Sequence, residues 1–226
     1  MKVFRIFFLG WFLIFCLPVQ AQIQVTNLLT EFLKCPVGID SKQPRLSWQI
    51  SDSERKSRQS AYEIRVAKDS PIFSGNYLVW KSGKILSTES LHHVYAGEPL
   101  QSGEKYFWQV RVWDYICRPS MWSSVSSWQM GLLNPDDWKA KWIGLDVNYT
   151  EPADDRRRLP ARMVRCEISM EKTIKSATVF LCGLGFSELY LNGSKVDNRI
   201  MDPTHSYYKE RVMYVTHDVT RFIQRR

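Results

Sequence analysis

Hydrophobic and polar positions alternate with a period of two along much of the chain. Leu46, Trp48 and Ile50 take turns with Ser47 and Gln49, and Tyr62, Ile64 and Val66 with Glu63 and Arg65. Tyr106, Trp108, Val110 and Val112 do the same with Phe107, Gln109 and Arg111. Successive side chains of a strand point to opposite faces, so this pattern predicts strands with one buried face. Turn-rich pieces separate them: Ser51-Asp52-Ser53-Glu54, Lys68-Asp69-Ser70-Pro71, Ser82-Gly83 and Gln101-Ser102-Gly103. Short strands at this spacing predict an all-β sandwich or barrel.

Strand order narrows the choice. Trp48 lies on an early strand, Tyr106 opens a late one with Leu100 six residues before it, and Ser123 to Met130 supplies a final strand. A buried Trp followed by a Tyr at that corner fits an immunoglobulin-like sandwich of the fibronectin type III variety. The alternation of Trp48 with Leu46 and Ile50 places it in the core rather than on an exposed sugar-stacking surface.

The pattern changes near Gly131. Asn134-Pro135-Asp136-Asp137 is a turn cluster, and Trp138 to Gly144 opens a second unit. After the charged stretch Glu151 to Pro160, strands are expected to resume. Val164, Cys166, Ile168 and Met170 alternate with polar neighbours, and Ala177 to Leu181 is a short apolar run. Glu188-Leu189-Tyr190-Leu191 leads into Asn192-Gly193, a hairpin signal because a type I′ turn needs positive φ at both central positions. Val212 to Val215 and Val219 to Ile223 are the last apolar pieces. The expected layout is a leader at 1–21, a fibronectin-like sandwich at 22–132, a linker at 133–137 and a jelly-roll-like module at 138–226. Five or six strands in the second module fall short of the eight of a jelly roll. The sequence is therefore read as a fragment of a longer protein.

The leader combines Lys2 and Arg5, an apolar run from Ile6 to Leu17, and Val19 and Ala21 before the expected cleavage point. These are the three parts of a secretory signal peptide. The run is shorter than the ~20 apolar residues of a spanning helix. Cys16 lacks the small preceding residues of a lipoprotein signal. The expected location is therefore periplasmic or secreted, with no membrane association after cleavage. A formal charge of +8 falls by the two charges of Lys2 and Arg5, and the remaining basic residues are scattered. Arg156-Arg157-Arg158 follows Asp154-Asp155 and reads as a solvated linker, so nucleic acid is not an expected partner. Cys35, Cys117, Cys166 and Cys182 remain after cleavage. Export permits disulfides, but the irregular spacing favours buried free thiols, and the absence of C-x-x-C argues against zinc.

Two stretches carry a family resemblance. Leu29 to Asp40 contains Pro36-Val37-Gly38-Ile39-Asp40 and continues through Pro44-Arg45-Leu46-Ser47-Trp48. Trp138-Lys139-Ala140-Lys141-Trp142-Ile143-Gly144 follows, then Gly183-Leu184-Gly185-Phe186, Glu188 to Gly193, Asp202-Pro203, Tyr207, Lys209, Arg211, Tyr214 and Asp218-Val219-Thr220. In this order the motifs resemble the N-terminal region of bacterial α-L-rhamnosidases of the multidomain inverting kind. The resemblance implies hydrolysis of rhamnose-containing glycosides by a full-length enzyme whose helical (α/α)6 barrel carries the acidic residues. It also implies that this chain supports that barrel or assists substrate recognition and is inactive alone. Cys117-Arg118-Pro119 departs from the small Gly/Ser turn expected at its position.

No catalytic, cofactor-binding or metal residue is assigned. Inverting glycosidases need two carboxyl groups facing each other across a sugar, about 6.5–9.5 Å apart. Asp136-Asp137 and Asp154-Asp155 are adjacent pairs in polar turns, the habit of solvated turn formers. Gly183-Leu184-Gly185 lacks the third glycine and the βαβ setting of a dinucleotide site. His92, His93, His205 and His217 lack metal spacing and are expected to be surface or structural residues. The sequons at Asn148 and Asn192 are discounted. Trp113, Phe107, Tyr207 and Tyr208 could stack on sugars, though contact with a neighbouring domain is favoured. The resemblance brings calcium into view, and Asp197 and Asp202 offer hard oxygen ligands, but their spacing is not that of a calcium loop. The alternative is a stand-alone secreted carbohydrate-binding or adhesion module.

Overall fold

The computed structural model describes residues 23–52, 58–144 and 162–223. The leader at 1–21, the stretch from Glu151 to Pro160 with Asp154-Asp155, and the Asn148 sequon lie outside the described residues.

The first module contains strands β1 (Gln24–Thr30), β2 (Val37–Ile39), β3 (Arg45–Ser51), β4 (Gln59–Lys68), β5 (Leu78–Lys81), β6 (Ile85–Leu86), β7 (His93–Val94), β8 (Lys105–Asp114) and β9 (Ser126–Met130). One sheet has the order β1-β3-β7, and the other the order β2-β9-β8-β4-β5, with β6 also paired to β4. β2 joins β9 in parallel, whereas the other pairings are antiparallel.

The alternation lands where it was expected. β4 and β8 set Tyr62 opposite Val112, Ile64 opposite Val110 and Val66 opposite Trp108. These side chains share one face and meet Leu46, Trp48, Val25 and Leu28 from the other sheet in a single buried cluster. Burial of each such side chain contributes roughly 1.5–3 kcal/mol relative to exposure. Trp48 is fully enclosed, its indole N–H donating to Gln59 Oε1 at 3.0 Å and its ring 5.2 Å from Tyr62. Tyr106 stacks on Trp128 at 5.4 Å. Its hydroxyl accepts the Gln101 backbone N–H at 3.0 Å, the tyrosine corner of such sandwiches.

The unexpected loop after β8 closes on a carboxylate. Asp114 Oδ1 accepts the backbone N–H groups of Ile116 and Arg118, and Asp114 Oδ2 accepts Arg118 Nε at 2.7 Å. Cys117 takes the left-handed conformation, with φ 65°, that a glycine would otherwise fill.

The second module contains β10 (Thr178–Cys182), β11 (Tyr190–Leu191), β12 (Ser194–Lys195) and β13 (Tyr214–Asp218). β10 pairs with β13, and β11 with β12. The turn between β11 and β12 has φ 50° at Asn192 and 79° at Gly193, as the Asn-Gly signal predicts. Three expectations need correction. Val164 to Met170 forms no strand: Val164 and Ile168 are exposed, and the segment has neither a ladder partner nor a surface to pack on among the described residues. Val219 to Ile223 holds a 3-10 turn, Thr220–Phe222, initiated by the Asp218 carboxylate accepting the Thr220 N–H and hydroxyl. Four strands are therefore described here, not five or six. The cysteines are free but not buried: Cys35, Cys117 and Cys166 are exposed and Cys182 is half-buried.

The modules meet along a seam between β13 and the β2–β9 edge. Tyr214 Oη accepts the Leu132 N–H at 2.8 Å, and Gln129 Nε2 donates to Thr178 Oγ1 at 2.7 Å. A Cβ on Gly38 would lie 2.5 Å from Thr216 Oγ1, and one on Gly131 would collide with Tyr214 Oη. Between the modules, Asn134 to Asp137 is held by Asp137, which accepts hydrogen bonds from Asn134 and from the Ser102 hydroxyl.

Candidate functional site

The outer face of β4 and β8 carries a stack of cations and aromatic rings. Arg65 lies over Phe73 at 4.6 Å and Trp122 at 4.0 Å, and Arg111 over Trp122 at 4.8 Å and Trp113 at 5.0 Å. Lys84 lies 4.6 Å from the Trp113 ring. Cations at ring faces are attracted by the aromatic quadrupole. Beneath them Glu63, 3% exposed, pairs with Arg111 at 2.6 Å and Lys81 at 3.3 Å. Trp113 is 8% exposed, so little of its ring is left to meet a sugar. Phe107 is half-buried with the Lys105 ammonium 5.7 Å from its ring.

In the second module Tyr207 is 63% exposed, and the Tyr208 hydroxyl lies 2.9 Å from His205 Nδ1. Asp197 accepts the Arg199 backbone N–H and pairs with His217 Nδ1 at 2.8 Å, while Asp202 lies 3.5 Å from Arg199. Burial pushes the Asp197 carboxyl up, and the Arg199 N–H with the neighbouring cations outweighs it, leaving a net downward shift. Both aspartates are thus engaged by protein cations. Among the described residues no group of three His, Cys, Asp or Glu side chains could hold a metal ion. His93 stacks on Trp48 at 4.6 Å, a structural place in the sandwich.

A further concave feature lies on the first module, and two of its lining residues, Glu31 and Arg45, belong to the family motif. An open groove of about 900 Å³ is lined by Glu31, Ser41, Lys42, Gln43, Arg45 and Val94, with Tyr95 and Gly97 to Pro99 completing it. Its built element is the turn after β1. Thr30 and Leu33 exchange two backbone hydrogen bonds of 3.0 Å, which leaves Glu31 and Phe32 at its tip with φ 46° and 66°. Glu31 grips Arg45 through its backbone N–H at 2.7 Å and its guanidinium at 2.6 Å. The Arg45 hydrogen bonds hold the Glu31 carboxyl below its usual range. Arg45 in turn lies 4.8 Å from the Phe32 ring, and His92, also left-handed with φ 59°, meets that ring edge-on at 5.0 Å. Period-two patterning carries no signal for such a site, because it is made by a turn tip, two loops and the ends of two strands.

The comparisons with known proteins agree with this architecture. Residues 25–134 match the family model "Rha78A-like, N-terminal immunoglobulin domain", and 172–226 match "Alpha-L-rhamnosidase N-terminal domain". An alpha-L-rhamnosidase of Formosa agariphila is 33% identical over 217 residues, covering 89% of this chain and 23% of the relative. One from Alteromonas sp. (strain LOR) is 36% identical over 194 residues, covering 84% of this chain and 21% of the relative. Among solved structures, an alpha-L-rhamnosidase from Dictyoglumus thermophilum superposes with TM-score 0.72 at 31% identity over 89% of this chain and 24% of its own. That of Streptomyces avermitilis complexed with L-rhamnose gives TM-score 0.53 at 27% identity over 90% and 21%. The chain thus spans about a fifth to a quarter of the length of these relatives.

Proposed function

Since the chain belongs to the α-L-rhamnosidase family, as its two N-terminal β-modules, we propose that it serves an enzyme that releases terminal α-L-rhamnose from glycosides. In that enzyme it acts as a preassembled β support that assists substrate recognition and leaves bond cleavage to other parts of the protein. The observation that carries this reading is the serial match of both modules, in order, to rhamnosidase N-terminal domains. The engaged state of Asp114, Asp137, Asp197 and Glu63 supports it. Asp114 and Asp137 each hold a loop, Asp197 pairs with the His217 imidazole, and Glu63 pairs with Arg111, which are structural employments of these carboxylates. Export through the leader at 1–21 belongs to the same proposal and is supported by its basic, apolar and small-residue segments.

The test is hydrolysis of a chromogenic α-L-rhamnoside. The purified chain should release no aglycone above the buffer rate, at any calcium concentration. A polypeptide extended through the region that follows residue 226 in rhamnosidases should do so. Turnover by the chain itself would overturn the proposal.

A further inference from the structure

We infer that the groove beside the Thr30–Leu33 turn is a binding site for a neutral oligosaccharide chain, carried by the first module. The inference stands on the geometry of that module and does not need the rhamnosidase reading to be right.

Charge points to a neutral ligand. Lys42 and Arg45 are balanced in the lining by Glu31 and Glu98, so the groove presents polarity without a net field for an anion. Its polar groups suit hydroxyls. Glu31 immobilises the Arg45 guanidinium, while Nη1 has no hydrogen-bond partner among the described residues and the side chain is 44% exposed. A planar fork already held in place donates to neighbouring hydroxyls with little further loss of rotamer freedom. Ser41, Gln43 and Glu98 add donors and acceptors along the walls, and Val94 and Pro99 add apolar surface for C–H faces. Next in the chain to the lining residue Glu31 stands Phe32, 56% exposed, whose ring has the Arg45 guanidinium 4.8 Å from its centre and leaves its remaining surface for a pyranose to stack on. An open groove of this volume suits several sugar units in a row and would hold one monosaccharide only loosely.

Backbone strain supplies an independent argument. Two consecutive positive φ values are what a type I′ turn demands, and the same chain meets that demand at 192–193 with Asn-Gly. At 31–32 it places Glu and Phe there, residues for which the left-handed region is unfavourable. Glu31 has a partner in Arg45 that accounts for its presence; Phe32 meets Arg45 and His92 only at the surface, and at 56% exposure its burial does not repay the strain. Strained side chains of this kind concentrate at ligand clamps.

The experiment uses the full chain in native affinity gels cast with neutral polysaccharides (arabinogalactan, galactomannan, arabinoxylan and mixed-linkage β-glucan), with polygalacturonate as the acidic comparison. Wild-type protein should be retarded by at least one neutral polymer and not preferentially by polygalacturonate. Phe32→Gly should weaken that retardation at least tenfold while melting no lower than wild type, because glycine relieves the turn. Arg45→Lys, which keeps the charge but loses the fork, should weaken it several-fold. Tyr115→Ala, on an exposed loop away from the groove, should leave it unchanged. Absence of retardation by every neutral polymer, preference for polygalacturonate, or full binding by both groove variants would overturn the inference. Chromogenic rhamnoside turnover is scored separately, so failure of either idea leaves the other standing.

Discussion

Replacing Glu63 with glutamine tests whether the cation–aromatic stack on β4 and β8 depends on one buried carboxylate. Glu63 is the anion beneath Arg111 and Lys81, and Arg65 and Arg111 flank the same Trp122 ring. Burial and the Arg111 charge already push the Arg65 guanidinium down, and Glu63 opposes that shift. Glutamine keeps the volume, so no cavity forms, but the two guanidinium groups lose their counter-charge. Removing one partner of a fully buried ion pair costs roughly 3–5 kcal/mol. Here the Arg111 and Lys81 side chains are 33% and 57% exposed and can recover part of their hydration. The expected loss is therefore about 2–3 kcal/mol, or about 4–12 °C in Tm for a chain of this size. Urea unfolding followed by tryptophan fluorescence should show a lower midpoint at unchanged slope. Salt near 1 M should restore part of the loss by screening Arg65 from Arg111. Pairing the change with Arg111→Gln should cost less than the two singles together, by about 1–3 kcal/mol. A Glu63→Gln protein within about 0.5 kcal/mol of wild type, the ordinary range for a surface substitution, would refute the reasoning.

Three further outcomes follow from named contacts. Thr30 is fully buried and its hydroxyl has no hydrogen-bond partner among the described residues, so Thr30→Val should raise stability by about 1 kcal/mol, seen as a higher urea midpoint. Gly131→Ala drives a Cβ into the Tyr214 hydroxyl that caps Leu132, so it should loosen the seam and speed proteolysis within 162–223 while the Trp48 core keeps its hydrogen-exchange protection. Burial raises the Asp114 carboxyl, but the Arg118 and Ile116 N–H groups and the Arg118 guanidinium outweigh it and hold the group below its usual value. Its stabilising share is therefore complete above the unfolded pKa, about 3.9, and is lost as pH falls through the folded one. Asp114→Asn should lower stability at pH 7 and flatten the acid limb of a pH-dependent melt, converging with wild type near pH 2. A parallel limb would count against this assignment.

The sandwich was legible because its strands have two unlike faces. Leu46, Trp48, Tyr62, Ile64, Val66 and the Tyr106, Trp108, Val110 and Val112 series point inward as their parity requires. What the pattern hid is the second face of β4. Glu63 and Arg65 look like a solvated edge in sequence, yet Trp122 from a later loop meets Arg65, and Arg111 and Lys81 from neighbouring strands pair with the buried Glu63, contacts no local window contains. Alternation also misled at Val164 to Met170, since period two marks a strand only when a sheet is there to receive it. The groove escaped for a related reason. Glu31 and Phe32 occupy positions where turn chemistry asks for Asn and Gly, and only their φ values show what they do there.

The seam between the modules explains how short strands can be held at all. The large buried side chains cluster in the first module, from Ile23 to Met130. Beyond it, the described part of the second module has Val196 and Val219 as its buried apolar residues, with Thr216 and His217 buried beside them. Two-stranded pieces with so little core are marginal by themselves. β13 instead lays Tyr214 and Thr216 against Gly131 and Gly38, positions where any larger residue would force the surfaces apart. Gln129 completes the link: its amide donates to the Gly103 carbonyl in its own module and to Thr178 across the seam. The first sandwich therefore supplies a fitted surface against which the second packs. Its two glycines and Gln129 are as much a part of the second module's stability as that module's own strands.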